Sequence, residues 1–461
     1  MRRIAFTLSA MTLATAVPLL AATPPSASAL RAYENAYASA SAARIPSFSR
    51  QTGLACNVCH TTFPQLTPFG RAFKLNGYTL TGMQVVQTGT PSNQSLKLDL
   101  IPPVSAMVQT AYTSTKKEVP GTQNGDMQFP QQLSLFLGEE ITPRLGTFLQ
   151  LTFDPASGTI AMDNADIRYA NHAQLGGKDF IYGFTLNNNP TVSDVFNSTP
   201  AWGYPYAGPD VSPAPSAGTL IDGALGQQVA GLGAYGFFNK LIYAEFALYR
   251  SAQWGGAQPP DGTSEGVVHG VAPYWRVALQ HDWGQNSLEV GTFGMRTDMY
   301  PTGVSGPYDR YTDVAVDGQY ERIGELGSFT AHGLWINEDR TYTASQALGV
   351  TNSSGAVLHT LRLDASYYTP QRIGFTAGYF NTSGDSDVVL YAPDPIDGSA
   401  NGSPNSNGFI GQLSYMPWLN TRFAIQYTLY NKFNGGSTNY DGSGRSASDN
   451  NTLYLLAWLV F

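Results

Sequence analysis

Two cysteines and a histidine stand together as Cys56-Asn57-Val58-Cys59-His60, and the chain has no other cysteine. C-x-x-C-H is the spacing of c-type haem attachment. Two thiols about one helical turn apart can add to the vinyl groups of one porphyrin, and the imidazole that follows can take the iron as proximal ligand. Other chemistries want partners the sequence does not supply. A zinc site needs a fourth protein ligand, and the next histidine is His172. A thioredoxin-like dithiol sits beside a βαβ pattern, which the chain does not show, so a local disulfide is the plain alternative. The motif predicts one covalent haem c on Cys56 and Cys59, with His60 on the iron.

The sixth ligand decides what such an iron does: a His/Met pair suits electron transfer, and an open site suits ligand binding or peroxidase chemistry. Met83 follows Gly82 in a stretch able to fold back, and it is the candidate sixth ligand. Met107 and His172 are the alternatives, and packing is the plain role for Met83. Arg71 and Lys74 are candidate contacts for the haem propionates; ordinary solvated charge is the other reading. No Ser/His/Asp triad, phosphate loop or carboxylate pair can be placed from spacing.

Haem of this kind is attached outside the cytoplasm, and the N-terminus fits export. Met1-Arg2-Arg3, an apolar stretch over 4–22 and the small residues Ala27-Ser28-Ala29 read as a signal peptide over 1–29. Net charge is −8, with no basic stripe to meet phosphates, so nucleic acid is not expected as a partner. Only 13% of residues are charged, against about 25% in a typical soluble domain. A lipid-facing surface would account for the shortfall.

From residue 96 the chain reads as segments of about ten residues with a period of two, the pattern of transmembrane β-strands. Arg422 to Leu429 puts Phe423, Ile425, Tyr427 and Leu429 on one face and Arg422, Ala424, Gln426 and Thr428 on the other. About sixteen such segments follow: near 97–113, 129–139, 144–153, 162–171, 178–186, 227–238, 240–250, 271–283, 286–297, 309–321, 326–337, 357–368, 371–381, 407–416, 420–431 and 450–461. Long Gly/Ser/Asn/Asp/Pro links such as 187–226 and 382–406 alternate with tight ones such as 284–285, the known asymmetry between outer and periplasmic ends of such barrels. Terminal Phe461 resembles the end of a closing strand, with Tyr454 and Trp458 as candidates for an interfacial aromatic girdle. The expected fold is all-β: an antiparallel outer-membrane barrel of about sixteen strands over 96–461. It is preceded by a small helical cytochrome segment over 30–95, with short helices expected over 32–43 and 63–75.

So short a segment buries only a modest share of its own surface, too little to cover a porphyrin. A sixteen-strand barrel has room for a plug, so residues 30–95 are expected in the lumen, entering from the periplasmic mouth. A free domain on a linker is the alternative.

The stretch 44–80 resembles the haem end of the fused monohaem cytochrome–porins, outer-membrane cytochromes of iron-oxidising bacteria. The likeness lies in Arg44-Ile45-Pro46, Gln51-Thr52-Gly53, the haem motif, Phe63-Pro64 and Leu66-Thr67-Pro68-Phe69-Gly70. Beyond Leu80 it is one of architecture only. The resemblance implies an iron oxidase of Fe(II):cytochrome c oxidoreductase type in the outer membrane of a Gram-negative bacterium; the barrel reading puts both termini on the periplasmic side. Extracellular Fe(II) would be the electron donor and a periplasmic cytochrome c or copper protein the acceptor. It supplies no iron-binding residues. Acids in the long links, Asp194, Asp222, Asp298, Asp309, Glu338 and Asp387 among them, are candidates to attract Fe²⁺, though Asp is also a common turn residue. A haem-plugged porin for solute transport and a peroxidase-type haem enzyme are the competing functions.

Overall fold

The structure, a computed structural model, describes residues 46–80, 104–154, 158–252 and 259–461. The signal peptide expected over 1–29, the helix expected over 32–43, the stretch 81–103 and with it Met83 lie outside the described residues.

The segment that carries the C-x-x-C-H motif folds, over its described residues, in five short pieces. Helix α1 (Ser47–Thr52) ends at Gly53, whose φ of 71° is the left-handed C-terminal stop that glycine adopts freely. Helix α2 (Cys56–Cys59) is the single turn that carries both thiols. Strands β1 (His60–Thr62) and β2 (Gln65–Leu66) form a small hairpin. Helix α3 (Pro68–Leu75) begins at Thr67, whose hydroxyl accepts from the Gly70 N–H at 3.2 Å, with Pro68 in the first turn. The helix expected over 63–75 is therefore shorter. Residues 63–66 turn and pair because Pro64 has no N–H to give a helix and Thr67 caps the one that follows.

The barrel strands are β3 (Val104–Thr115), β4 (Asp126–Thr142), β5 (Leu145–Asp154), β6 (Thr159–Leu175), β7 (Lys178–Asn187), β8 (Val229–Phe238) and β9 (Ile242–Ser251). After the short β10 (Glu265–Val268) come β11 (Ala272–Trp283), β12 (Asn286–Thr302), β13 (Asp309–Gly324), β14 (Gly327–Thr341) and β15 (Gly355–Tyr368). The last four are β16 (Ile373–Gly384), β17 (Ser406–Trp418), β18 (Thr421–Lys432) and β19 (Thr452–Val460). Each pairs antiparallel with its neighbours, β9 pairs with β11, and β19 pairs with β3. The result is a closed sixteen-stranded barrel, with β10 paired to the end of β12 beyond the stretch that β11 covers.

Alternation sets the two faces, because a strand's side chains point to opposite sides in turn. Phe423, Ile425, Tyr427 and Leu429 face outward, while Arg422, Ala424, Gln426 and Thr428 are buried within. Leu232, Phe246, Leu279, Val290 and Phe375 continue the apolar outer surface. Tyr454 and Trp458 point inward and pack with Met107, Leu456 and Val460, so they form part of the lumen wall rather than an outer girdle.

The lumen is filled. Helix α1 docks near the β4–β5 turn, where the Ser47 hydroxyl donates to the Gly138 carbonyl at 2.7 Å. Three strands round the ring, Arg422 of β18 donates to the Phe63 carbonyl at 3.3 Å. Arg71 reaches Ser287 and Glu321, both near tight turns, at 2.9 Å each. The plug thus sits at the mouth bounded by the short links. From the other side the long link 188–228 folds in rather than standing outside. Its Val192, Val195 and Phe196 are fully buried. The physical reason is the inner wall itself: Tyr249, Tyr274, Phe293 and Ile336 point into the lumen, and Ile221 and Leu225 of this link cover them.

Candidate functional site

Between plug, infolded link and wall lies a cavity of about 470 Å³, lined by Cys56, Cys59 and His60 together. Its walls are aromatic: Phe48, Phe63, Phe73 and Tyr78 from the plug, Phe136, Phe148 and Trp458 from the barrel, Trp202 and Tyr206 from the link. Phe48 meets Phe73 edge-on at 5.1 Å and stacks on Tyr78 at 5.6 Å, which fixes α1 against α3. Polar side chains share the lining, among them Gln109, Gln132, Gln150, Asp163, Asp194 and Lys74. A planar apolar ligand with a polar rim suits such a lining.

Local structure brings the three motif residues to one side. Their turn is pinned because Thr67 donates to the Val58 carbonyl at 2.5 Å and the Thr67 N–H donates to the Cys59 carbonyl at 2.9 Å. Gly70 lies so close beneath that a Cβ there would stand 2.2 Å from the Cys59 carbonyl oxygen. The Cys56 sulfur is 3.7 Å from the Ser49 hydroxyl, and both cysteines are unbridged, which leaves their sulfurs open to the cavity.

Burial, and next the neighbouring Cys56, push the Cys59 thiol up to about 11. An unmodified thiol here is therefore a poor nucleophile at neutral pH. Burial also pushes His60 down to about 4, although the carbonyls of Pro64 and Gln65 favour its protonated form. The ring is thus neutral, as a metal-ligating imidazole must be. Its Nδ1 is buried and makes no hydrogen bond. Two thiols, a neutral imidazole and an aromatic enclosure of this volume fit the c-type haem that the motif predicts.

The other expected residues are divided. Lys74 lines the cavity, with its ammonium 4.7 Å from the Trp202 ring centre. It donates to the carbonyls of Val192 at 2.6 Å and Asp194 at 2.7 Å, which leaves a third N–H for a ligand carboxylate. Arg71 is not among the lining residues; it pairs with Glu321 in the wall at 2.9 Å, both side chains almost wholly buried. His172 is exposed and away from the cavity, whereas Met107 lines it.

The long-link acids are engaged in structure. Asp194 is buried, accepts from the N–H groups of Phe196, Ser198 and Thr199, and lies 3.4 Å from Arg276. Asp222 pairs with Arg362, Asp298 with Arg310 and Glu338 with Arg340. Asp309 accepts from Ala344 and Ser345, and Asp387 from Thr351, Asn352 and Val389. Among the described residues no group of three or more His, Cys, Asp or Glu could hold a metal ion.

Sequence reasoning missed Trp202 and Tyr206, which close the cavity from the infolded link. The available signal was the run of apolar residues facing a lumen expected to be polar.

The fold and site define a porin-like barrel whose lumen houses a plug and an aromatic cavity. No protein-family model and no curated protein matches the sequence. Solved structures do. The outer-membrane channel DcaP of Acinetobacter baumannii aligns over 78% of this chain and 96% of its own, at 11% identity and a TM-score of 0.46. An anion-selective porin from Comamonas acidovorans aligns over 78% and 98%, at 13% identity and 0.44. A loop-deletion mutant of OmpT from Vibrio cholerae covers 78% and 98%, at 12% and 0.41. The similarity is one of fold.

Proposed function

We propose that this protein is an outer-membrane cytochrome that carries electrons from extracellular Fe(II) to a periplasmic carrier, a cytochrome c or a copper protein. One electron leaves Fe(II), which becomes Fe(III), and the carrier takes it up. The observation that carries the reading is the convergence of Cys56, Cys59 and His60 on one aromatic cavity inside a closed barrel. Cys56 and Cys59 would hold the porphyrin by thioether bonds, and His60 would supply the proximal nitrogen. When bound, the haem would supply a reversible one-electron iron couple. The aromatic walls exclude water, and Lys74 offers a cation for a propionate. The apolar outer face supports a place in lipid, and the short links are the periplasmic end by the usual asymmetry. Fe(II) as donor rests on the resemblance of residues 44–80 to the fused cytochrome–porins.

The test is stopped-flow visible spectroscopy of outer membranes mixed with Fe(II). Haem bands that become reduced support the reading. Bands that stay oxidised with Fe(II), yet reduce with dithionite, remove iron as donor.

The closed sixteen-stranded barrel favours a second reading, solute transport, since such a ring is wide enough for an aqueous channel. Planar-bilayer conductance separates the two: a sealed lumen passes little current, and a plugged porin that still transports passes more.

A further inference from the structure

We infer that Met107 of β3 is the sixth ligand, so that plug and barrel wall each supply one axial bond to the same iron. The inference rests on the haem reading above. Among the described residues that line the cavity, His60 is the sole imidazole and Met107 the sole thioether. Met107 is almost fully buried and sits in paired strand, opposite Ser134 on one side and Val460 on the other. It is therefore held at a fixed place rather than on a loop that must be ordered on binding. The Nε2 of Gln109, two residues on and on the same inward face, donates to the Met107 sulfur at 3.7 Å. A thioether is a weak acceptor. An amide directed at it orients the sulfur, as the partners of metal ligands commonly do. Lys74 is a poorer candidate, since its ammonium is tied to two carbonyls.

The consequence is chemical as well as structural. A His/Met iron has a raised potential, the setting that taking electrons from Fe(II) requires. It also explains why so small a plug suffices: the wall completes the coordination.

The test uses full-length, haem-loaded protein in detergent. Met107→Leu keeps the buried apolar volume and removes the sulfur. We expect it to retain covalent haem by the pyridine haemochrome assay and to lose the far-red thioether–iron charge-transfer band. Low-temperature EPR should turn from low to high spin, and the midpoint potential should fall. Gln109→Leu should keep the band and shift the potential, and Met83→Leu should leave both unchanged. A wild-type protein without the thioether band, a Met107→Leu protein that keeps it, or its loss in Met83→Leu overturns the assignment while the haem reading stands. Absence of covalent haem from the wild type overturns the haem reading itself.

Discussion

Replacing Arg71 by methionine should unseat the plug. The guanidinium lies 2.9 Å from the Glu321 carboxylate, with side-chain exposures of 2% and 1%, and also donates to Ser287 and to the Leu66 carbonyl. Arg71 bonds Glu321 Oε2 and Oε1 has no hydrogen-bond partner, so Arg71→Met leaves a buried carboxyl group without its ion pair. Breaking such a pair from one side costs about 3–5 kcal/mol, which raises the undocked-to-docked ratio by roughly a hundred- to a few-thousand-fold. Single-channel recording in planar bilayers reads this directly, because each undocking event clears part of the lumen. Wild type should show rare openings and Arg71→Met frequent ones. The double variant Arg71→Met/Glu321→Leu should return toward wild type, since removing both charges leaves nothing unpaired. A single variant as silent as wild type, or a double variant as leaky as the single, would refute the reasoning.

Two further outcomes follow from the site. Gly70→Ala forces a Cβ to within 2.2 Å of the Cys59 carbonyl oxygen, an overpacking worth about 1–3 kcal/mol; haem per protein should drop, and an unchanged ratio would show that α3 yields freely. Burial, then the Arg168 charge, lowers Lys74 to about 7, with Asp166 and Asp194 opposing, while the unfolded chain keeps the ordinary 10.5. Between those values the unfolded state binds more protons, so plug stability should rise with pH across that window and be lowest below it. Protease protection in urea should show the slope in haem-free Cys56→Ser/Cys59→Ser protein, where no propionate faces Lys74, and a flatter line once Lys74→Met is added; equal slopes would assign the effect elsewhere.

The barrel was legible because its strands announce themselves locally. A period of two over residues 422–429 fixes both strand and facing, and each of the sixteen expected segments holds a strand among its described residues. Ring closure by β19 on β3 could be anticipated from an even count of antiparallel neighbours. The contents of the lumen could not, because they depend on contacts between residues far apart in sequence. Arg71 meets Glu321 across 250 positions, and nothing near Arg71 announces that partner. Link 188–228 has the composition of a surface loop. Its place inside is set by Tyr249, Tyr274 and Phe293, inward aromatics that would otherwise face water. Trp458 misled for the same reason, since a strand end shows that a ring alternates but not which medium it meets. Asp194, Asp222 and Asp387 looked like a negative mouth and are turn and ion-pair residues.

Central to the account is a porphyrin bonded to Cys56 and Cys59, and intact mass spectrometry of the purified, denatured protein tests it most directly. The chain should be heavier by one haem, with no titratable thiol, and should lose that added mass when both cysteines are replaced by serine. A chain at its unmodified mass with two free thiols, or with a disulfide between them, would contradict it.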